Sequence, residues 1–217
     1  MLSASSFIIA IASLLWVVSA APTLYPRAGL PINLPAGVTP PNSTVLKYVY
    51  LGYGILPQLN PYLIQGTQNY TCNATSSTYS TSGTAEAVLL DITKYYQGSC
   101  SVAAIPPVNQ LEVVGKHYYV PNPLTAGAVS PQFINLETGK FIIASRNASV
   151  ASANPTYSVA NVLLQNIQPG KVGGSLADWV VRTDVVGGVV PTILNTCKAG
   201  DVIAIPYKAH YLFYQNK

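Results

Sequence analysis

From Asp178 the side chains alternate, with Trp179, Val181, Thr183 and Val185 to one side and Asp178, Val180, Arg182 and Asp184 to the other. Tyr207, Ala209, Tyr211 and Phe213 repeat the pattern against Lys208, His210 and Leu212. A period of two sends alternate residues to opposite faces of a sheet, so both runs read as half-buried strands. Between them lie Gly187-Gly188, Pro191, Lys198-Ala-Gly-Asp201 and Pro206, which are turn and strand-edge residues. A chain punctuated in this way folds back on itself as successive antiparallel strands. Shorter β-rich runs at 45–54, 62–72, 117–120, 132–135, 140–144 and 158–165 are separated by further Pro, Gly and Asn turns. The stretch 84–96 carries a helical apolar stripe as well as β-branched and aromatic residues, and is read as strand. The expected class is all-β, an antiparallel β-sandwich or barrel-like single domain with a Pro-rich N-terminal leader.

The first twenty residues hold no charge, an apolar run from Phe7 to Val18, and small residues ending at Ala20. That run is too short to span a bilayer and Pro22 follows it, so residues 1–20 are expected to be a cleaved secretory signal peptide. Residues 21–44 form the leader, where Pro22, Pro26, Pro31, Pro35, Pro40 and Pro41 oppose both helix and central strand. Arg27 lies within it as a candidate processing site. Residues 45–217 form the β domain. The expected location is extracellular, with no membrane span.

Only 8% of the residues are charged while 49% are hydrophobic, so something other than charge must keep the domain in solution. Four sequons, at Asn42, Asn69, Asn73 and Asn147, offer glycans for that purpose in an exported chain. The net charge of +4 is dispersed, with no basic cluster, which argues against nucleic-acid binding. Cys72, Cys100 and Cys197 all follow the signal peptide, where thiols oxidise, so one pair is expected to bridge and one sulfur to remain.

Motifs for catalysis are missing. Gly173-Gly-Ser175-Leu-Ala177 ends in Ala where a nucleophile elbow has Gly, and Gly52-Tyr-Gly54-Ile-Leu-Pro57 has Pro in place of the third glycine of a dinucleotide loop. Two isolated histidines and seven scattered acids contain no metal-ligand spacing, so neither metal nor cofactor is expected. The candidates for a site assembled from distant residues are Asp178, His117 and His210, with Glu112 as a possible carboxylate partner for Asp178. The tyrosines at 48, 50 and 53, the pairs 95–96 and 118–119, and Tyr207, Tyr211 and Tyr214 are candidates for stacking on sugar rings, although packing claims most of them.

Leu51-Gly-Tyr-Gly54, Gly66-Thr-Gln-Asn-Tyr-Thr-Cys72, Gly115-Lys-His-Tyr-Tyr119, Pro131-Gln-Phe133, Asp178-Trp179 and Ile205-Pro-Tyr-Lys-Ala-His-Tyr-Leu-Phe-Tyr214 together resemble a family of secreted fungal proteins with bacterial relatives. That family is classed as a domain of unknown function, and some members carry a malate dehydrogenase label that the failed dinucleotide check does not support. Relative to the family, residues 55–65 look like an insertion. The resemblance implies a Cys72–Cys197 bridge with Cys100 as the odd sulfur, and it implies no catalytic residue. The expected function is that of a secreted, glycosylated, wall-associated or surface-interaction protein without catalysis, whose partner is a cell-wall polysaccharide or another extracellular protein. The alternative is a hydrolase or carbohydrate-modifying enzyme.

Overall fold

In a computed structural model of the chain, described over residues 34–41, 43–53, 66–93, 110–168, 176–194 and 196–216, the C-terminal alternation is one strand of 15 residues. The described residues form nine strands: β1 (Ser43–Tyr53), β2 (Gly66–Asn73), β3 (Thr78–Asp91), β4 (Val113–Pro121), β5 (Val129–Asn135), β6 (Phe141–Val150), β7 (Asn161–Asn166), β8 (Trp179–Gly187) and β9 (Val202–Asn216). A 3-10 turn at Thr192–Leu194 lies between β8 and β9. Stretch 84–96 is strand as far as Asp91, because β3 pairs along both edges and a helix has no edge to offer. Residues 1–33, including the expected signal peptide and Arg27, lie outside the described residues, as do 54–65 and Cys100.

Every pairing is antiparallel, and following it from β3 through β2, β9, β8, β7, β6, β5 and β4 leads back to β3. The sheet therefore closes into an eight-stranded barrel, the second of the two expected architectures. One position in the ring is shared end to end. β2 pairs with residues 78–86 of β3 and 202–207 of β9, and β1 takes over along 88–91 and 208–216. Closure removes the open edges along which sheets otherwise recruit other chains.

Asn side chains set the hairpins. The Oδ1 atoms of Asn73, Asn122 and Asn135 each accept backbone N–H bonds from the following turn, the shortest at 2.8, 2.7 and 2.8 Å. This Asx geometry bends the chain without a sheet partner. At the end of β8, Gly187 has φ 88°, and a Cβ there would come within 2.6 Å of the Pro206 carbonyl oxygen, so only glycine fits. The Cys72–Cys197 disulfide joins the end of β2 to the segment before β9, across 125 residues, and is the pair the resemblance implied.

Two apolar clusters lie on opposite sides of the barrel wall. The inner one holds Leu89, Phe133, Ile142, Leu164, Val180, Tyr207, Ala209, Tyr211 and Phe213, so the odd-numbered face of β9 points inward as its alternation predicts. The outer one holds Val38, Leu90, Leu163, Trp179, Val181, Leu212 and Tyr214. Val38, from the expected leader, is fully buried there beside Leu34. Burying a Val side chain stabilises by about 1.5–3 kcal/mol, which offsets part of the cost of ordering this short segment against the barrel.

This second layer corrects the picture of one solvated strand face. His210 is 4% exposed, not open to solvent, because the outer side of β8 and β9 is covered as well. The alternation of β8 is also interrupted. A register shift between Thr183 and Val186, with Asp184 at φ 51°, inserts an extra residue, so Val185 joins the inner cluster with Val180 instead of sharing a face with Trp179 and Val181.

Candidate functional site

The barrel interior changes character along β9. Around Phe213 it is apolar, with Phe133 meeting Phe213 edge to face at 5.6 Å and Val180 directly across in the register. Toward Tyr207 it becomes polar. The Tyr207 and Tyr211 hydroxyls share a hydrogen bond of 2.7 Å, and the guanidinium of Arg182 lies 6.0 Å from the centre of the Tyr207 ring. Arg182 pairs in register with Val162 on β7 and Tyr211 on β9, both residues of the inner face. Its Nε and Nη2 donate to the Ala160 carbonyl at 3.2 and 2.9 Å. Tyr70, on β2, donates its hydroxyl to the Gly188 carbonyl at 2.6 Å, a contact that the close approach of the glycine pair permits.

His117 joins this end from β4. Its ring stacks on Phe133 at 4.2 Å and lies 5.7 Å from Tyr119 and 5.8 Å from Tyr211. Its Nδ1 contacts the Gln132 carbonyl at 3.0 Å, and a carbonyl only accepts, so Nδ1 carries the proton. Burial drives the imidazole pKa from 6.5 down to about 4, against the Gln132 bond, while Arg182 pushes it lower still. Burial also raises the phenols of Tyr70, Tyr119, Tyr207 and Tyr211, and Tyr207 is raised further by its neighbour Tyr211. Arg182 acts against the rise at all four. The resulting surface has one permanent cation, neutral phenols and a neutral imidazole.

A titration experiment follows. Unfolded His117 takes a proton near pH 6.5 and the folded residue only near pH 4, so between these values the unfolded state holds more protons. Stability from this residue is complete above about pH 6.5 and falls by about 3 kcal/mol as the pH drops to about 4. In urea melts the stability of the wild type relative to His117→Phe should therefore fall by about 3 kcal/mol between pH 7 and pH 4. A constant difference from pH 7 to 4 would place His117 in a solvated setting.

The three sequence candidates for catalysis are not brought together. His117 lies inside the barrel and His210 on the outer side of its wall. Asp178 accepts the backbone N–H of Asn216 at 2.9 Å and so fastens the end of β9. Asp178 and Glu112 show no mutual hydrogen bond among the described residues. His210 does meet a carboxylate that sequence reading did not propose, with Nδ1 2.9 Å from Asp184 Oδ2. The order is the reverse of a nucleophile-activating triad, in which a buried carboxylate orients an imidazole toward substrate. Here the imidazole side chain is 5% exposed and the carboxylate 58%.

Among the tyrosines proposed for sugar stacking, Tyr207 and Tyr211 are enclosed, Tyr214 is in the outer cluster, and Tyr118 accepts a hydrogen bond from Gln132 at 2.9 Å. Tyr119 is half-buried at the polar end. Tyr95 and Tyr96 lie outside the described residues, as do the side chains of Tyr48, Tyr50 and Tyr53. Of the sequons, Asn73 and Asn147 are exposed, Asn69 is half-buried, and Asn42 is outside the described residues. No group of His, Cys, Asp and Glu capable of holding a metal ion occurs among the described residues, and no helix there is long and apolar enough to cross a membrane. Arg182 itself was seen in the sequence only as one member of an alternation. The signal that marks it, the loss of a nearby carboxylate, comes from the bulge and not from spacing.

A family model described as a protein of unknown function (DUF3455) matches residues 61–215. No curated protein and no solved structure matches the chain.

Proposed function

The chain belongs to that family of unknown function, whose match takes in β2 to β9 nearly to its end, and from this premise we propose that it is a secreted, glycosylated binding protein that works outside the cell, at a fungal cell wall, without catalysis. The observation that carries the binding reading is the polar end of the barrel interior. There Arg182 and the hydroxyls of Tyr119, Tyr207 and Tyr211 collect. Eight-stranded barrels either fill their interior with side chains or hold one small ligand, and convergent polar groups beside an apolar interior favour the second. Secretion and wall association rest on the uncharged apolar N-terminus, the sequons and the scarcity of charge. Among the described sequons, Asn73 and Asn147, being exposed, are the ones best placed to receive glycans.

The test is a wall-polysaccharide pull-down and glycan array run beside a broad hydrolase screen on the same secreted protein. Retention on wall material, a first residue at or after Ala21, and a mass loss on peptide-N-glycosidase treatment are the expected results. Turnover of any substrate that disappears in Asp178→Asn or Asp184→Asn would replace this reading with the hydrolase alternative.

A further inference from the structure

We propose that Arg182 is the anchor of a carboxylate-binding site at the polar end of the barrel, and that the ligand is a small organic acid with a flat ring. The inference rests on the binding reading above and adds the ligand's chemistry. It starts from a missing neutralisation. Asp184 stands two residues after Arg182, and in a regular strand the two side chains would share a face as an ion pair. The register shift between Thr183 and Val186, with Asp184 at φ 51°, turns the carboxylate to the outer side instead, where it meets His210 at 2.9 Å. Arg182 is left with no ion pair among the described residues. A half-buried guanidinium without a counter-charge costs stability, so the bulge is maintained against that cost and at the expense of a strained residue.

The rest of the site supplies what an aromatic acid needs. Arg182 is oriented by its paired donation to the Ala160 carbonyl and by a further bond to the Tyr211 side chain, and the N–H groups still open can reach a carboxylate. Burial keeps the phenols of Tyr207 and Tyr211 protonated, so this pair has a hydroxyl hydrogen to offer an anion. Tyr119, half-buried, gives a flat face beside the charge against which a ring can pack, while the His117–Phe133 stack behind it is closed and backs the site. Arg146 adds positive potential near Tyr119.

The experiment is calorimetric titration of the whole secreted protein with 4-hydroxybenzoate and with its neutral isostere 4-hydroxybenzamide, repeated on Arg182→Gln and Tyr119→Phe. The acid should bind the wild type at least tenfold more tightly than the amide, and Arg182→Gln should bring the acid down to the amide's level. Because the acid–amide comparison is made on the wild type, it decides the matter even where Arg182→Gln fails to fold. Tyr119→Phe should fold and weaken both ligands alike. Equal affinity for acid and amide, or no heat with either at millimolar concentration, overturns the carboxylate site. Wall retention is scored separately: retention with no acid preference removes this inference and leaves the binding reading standing. Acid preference without retention supports the inference and removes the wall assignment alone.

Discussion

Replacing both Cys72 and Cys197 by Ser should lower the free energy of unfolding by about 5 kcal/mol, the loop-closure value for a bridge across 125 residues. For a domain of this size that is a fall in Tm of roughly 10–20 °C. The double replacement leaves no unpaired half of the bridge to exchange with Cys100, a side reaction that would confuse the measurement. The bridge also has native-state work to do. Around it, Cys72 N–H donates to Asp201 O at 2.8 Å and Cys197 N–H to Ser77 O at 3.2 Å, so the β2–β3 hairpin and the approach to β9 are held by one covalent and two hydrogen-bonded links. If the double variant melts within about 2 °C of the oxidised wild type, the backbone contacts suffice and the bridge contributes little. Cys100 does not enter this comparison, because it is unchanged in both proteins.

The alternation in β9 was legible because nothing in it competes: every second residue from Tyr207 to Phe213 is aromatic or small and apolar, and the inner face takes all of them. What period alone could not show is that the other face is covered too. The segment around Val38 packs with Leu212 and Tyr214, and His210 is buried on the same face of β9; no local pattern records a contact made across so much chain. The choice between sandwich and barrel had the same origin. It turns on β3 pairing with β4 on one edge while β2 and β1 occupy the other, which is a matter of register between distant strands. The candidate site was hidden for a smaller reason. In the sequence Arg182 and Asp184 look like a charge pair on one face, and a single residue with positive φ separates them. His117 and Tyr119 were named from the sequence, but as members of different hypotheses; β4 places both at the polar end.

Phe213→Ala should cost about 3–5 kcal/mol, and His210→Ala about 1–3 kcal/mol, in parallel denaturant melts. Phe213 is fully buried, edge-on to Phe133 and opposite Val180, so truncation opens a cavity between three strands that cannot close on itself. His210 lies one step along β9 and on the other side of the wall. Its removal leaves a smaller void and frees Asp184, whose side chain is 58% exposed and can take water in place of the imidazole. Without the outer layer the second figure would fall to within about 0.5 kcal/mol, as for any exposed strand residue. The ratio of the two costs therefore reports both the parity of β9 and the covering of its outer face. A one-residue slip in register would exchange the faces and make His210→Ala the more damaging change. Asp184→Asn completes the set: it should alter the melt by less than His210→Ala, because the carboxylate is the solvated partner, while the bulge that turns it away from Arg182 is held by the backbone register rather than by this contact.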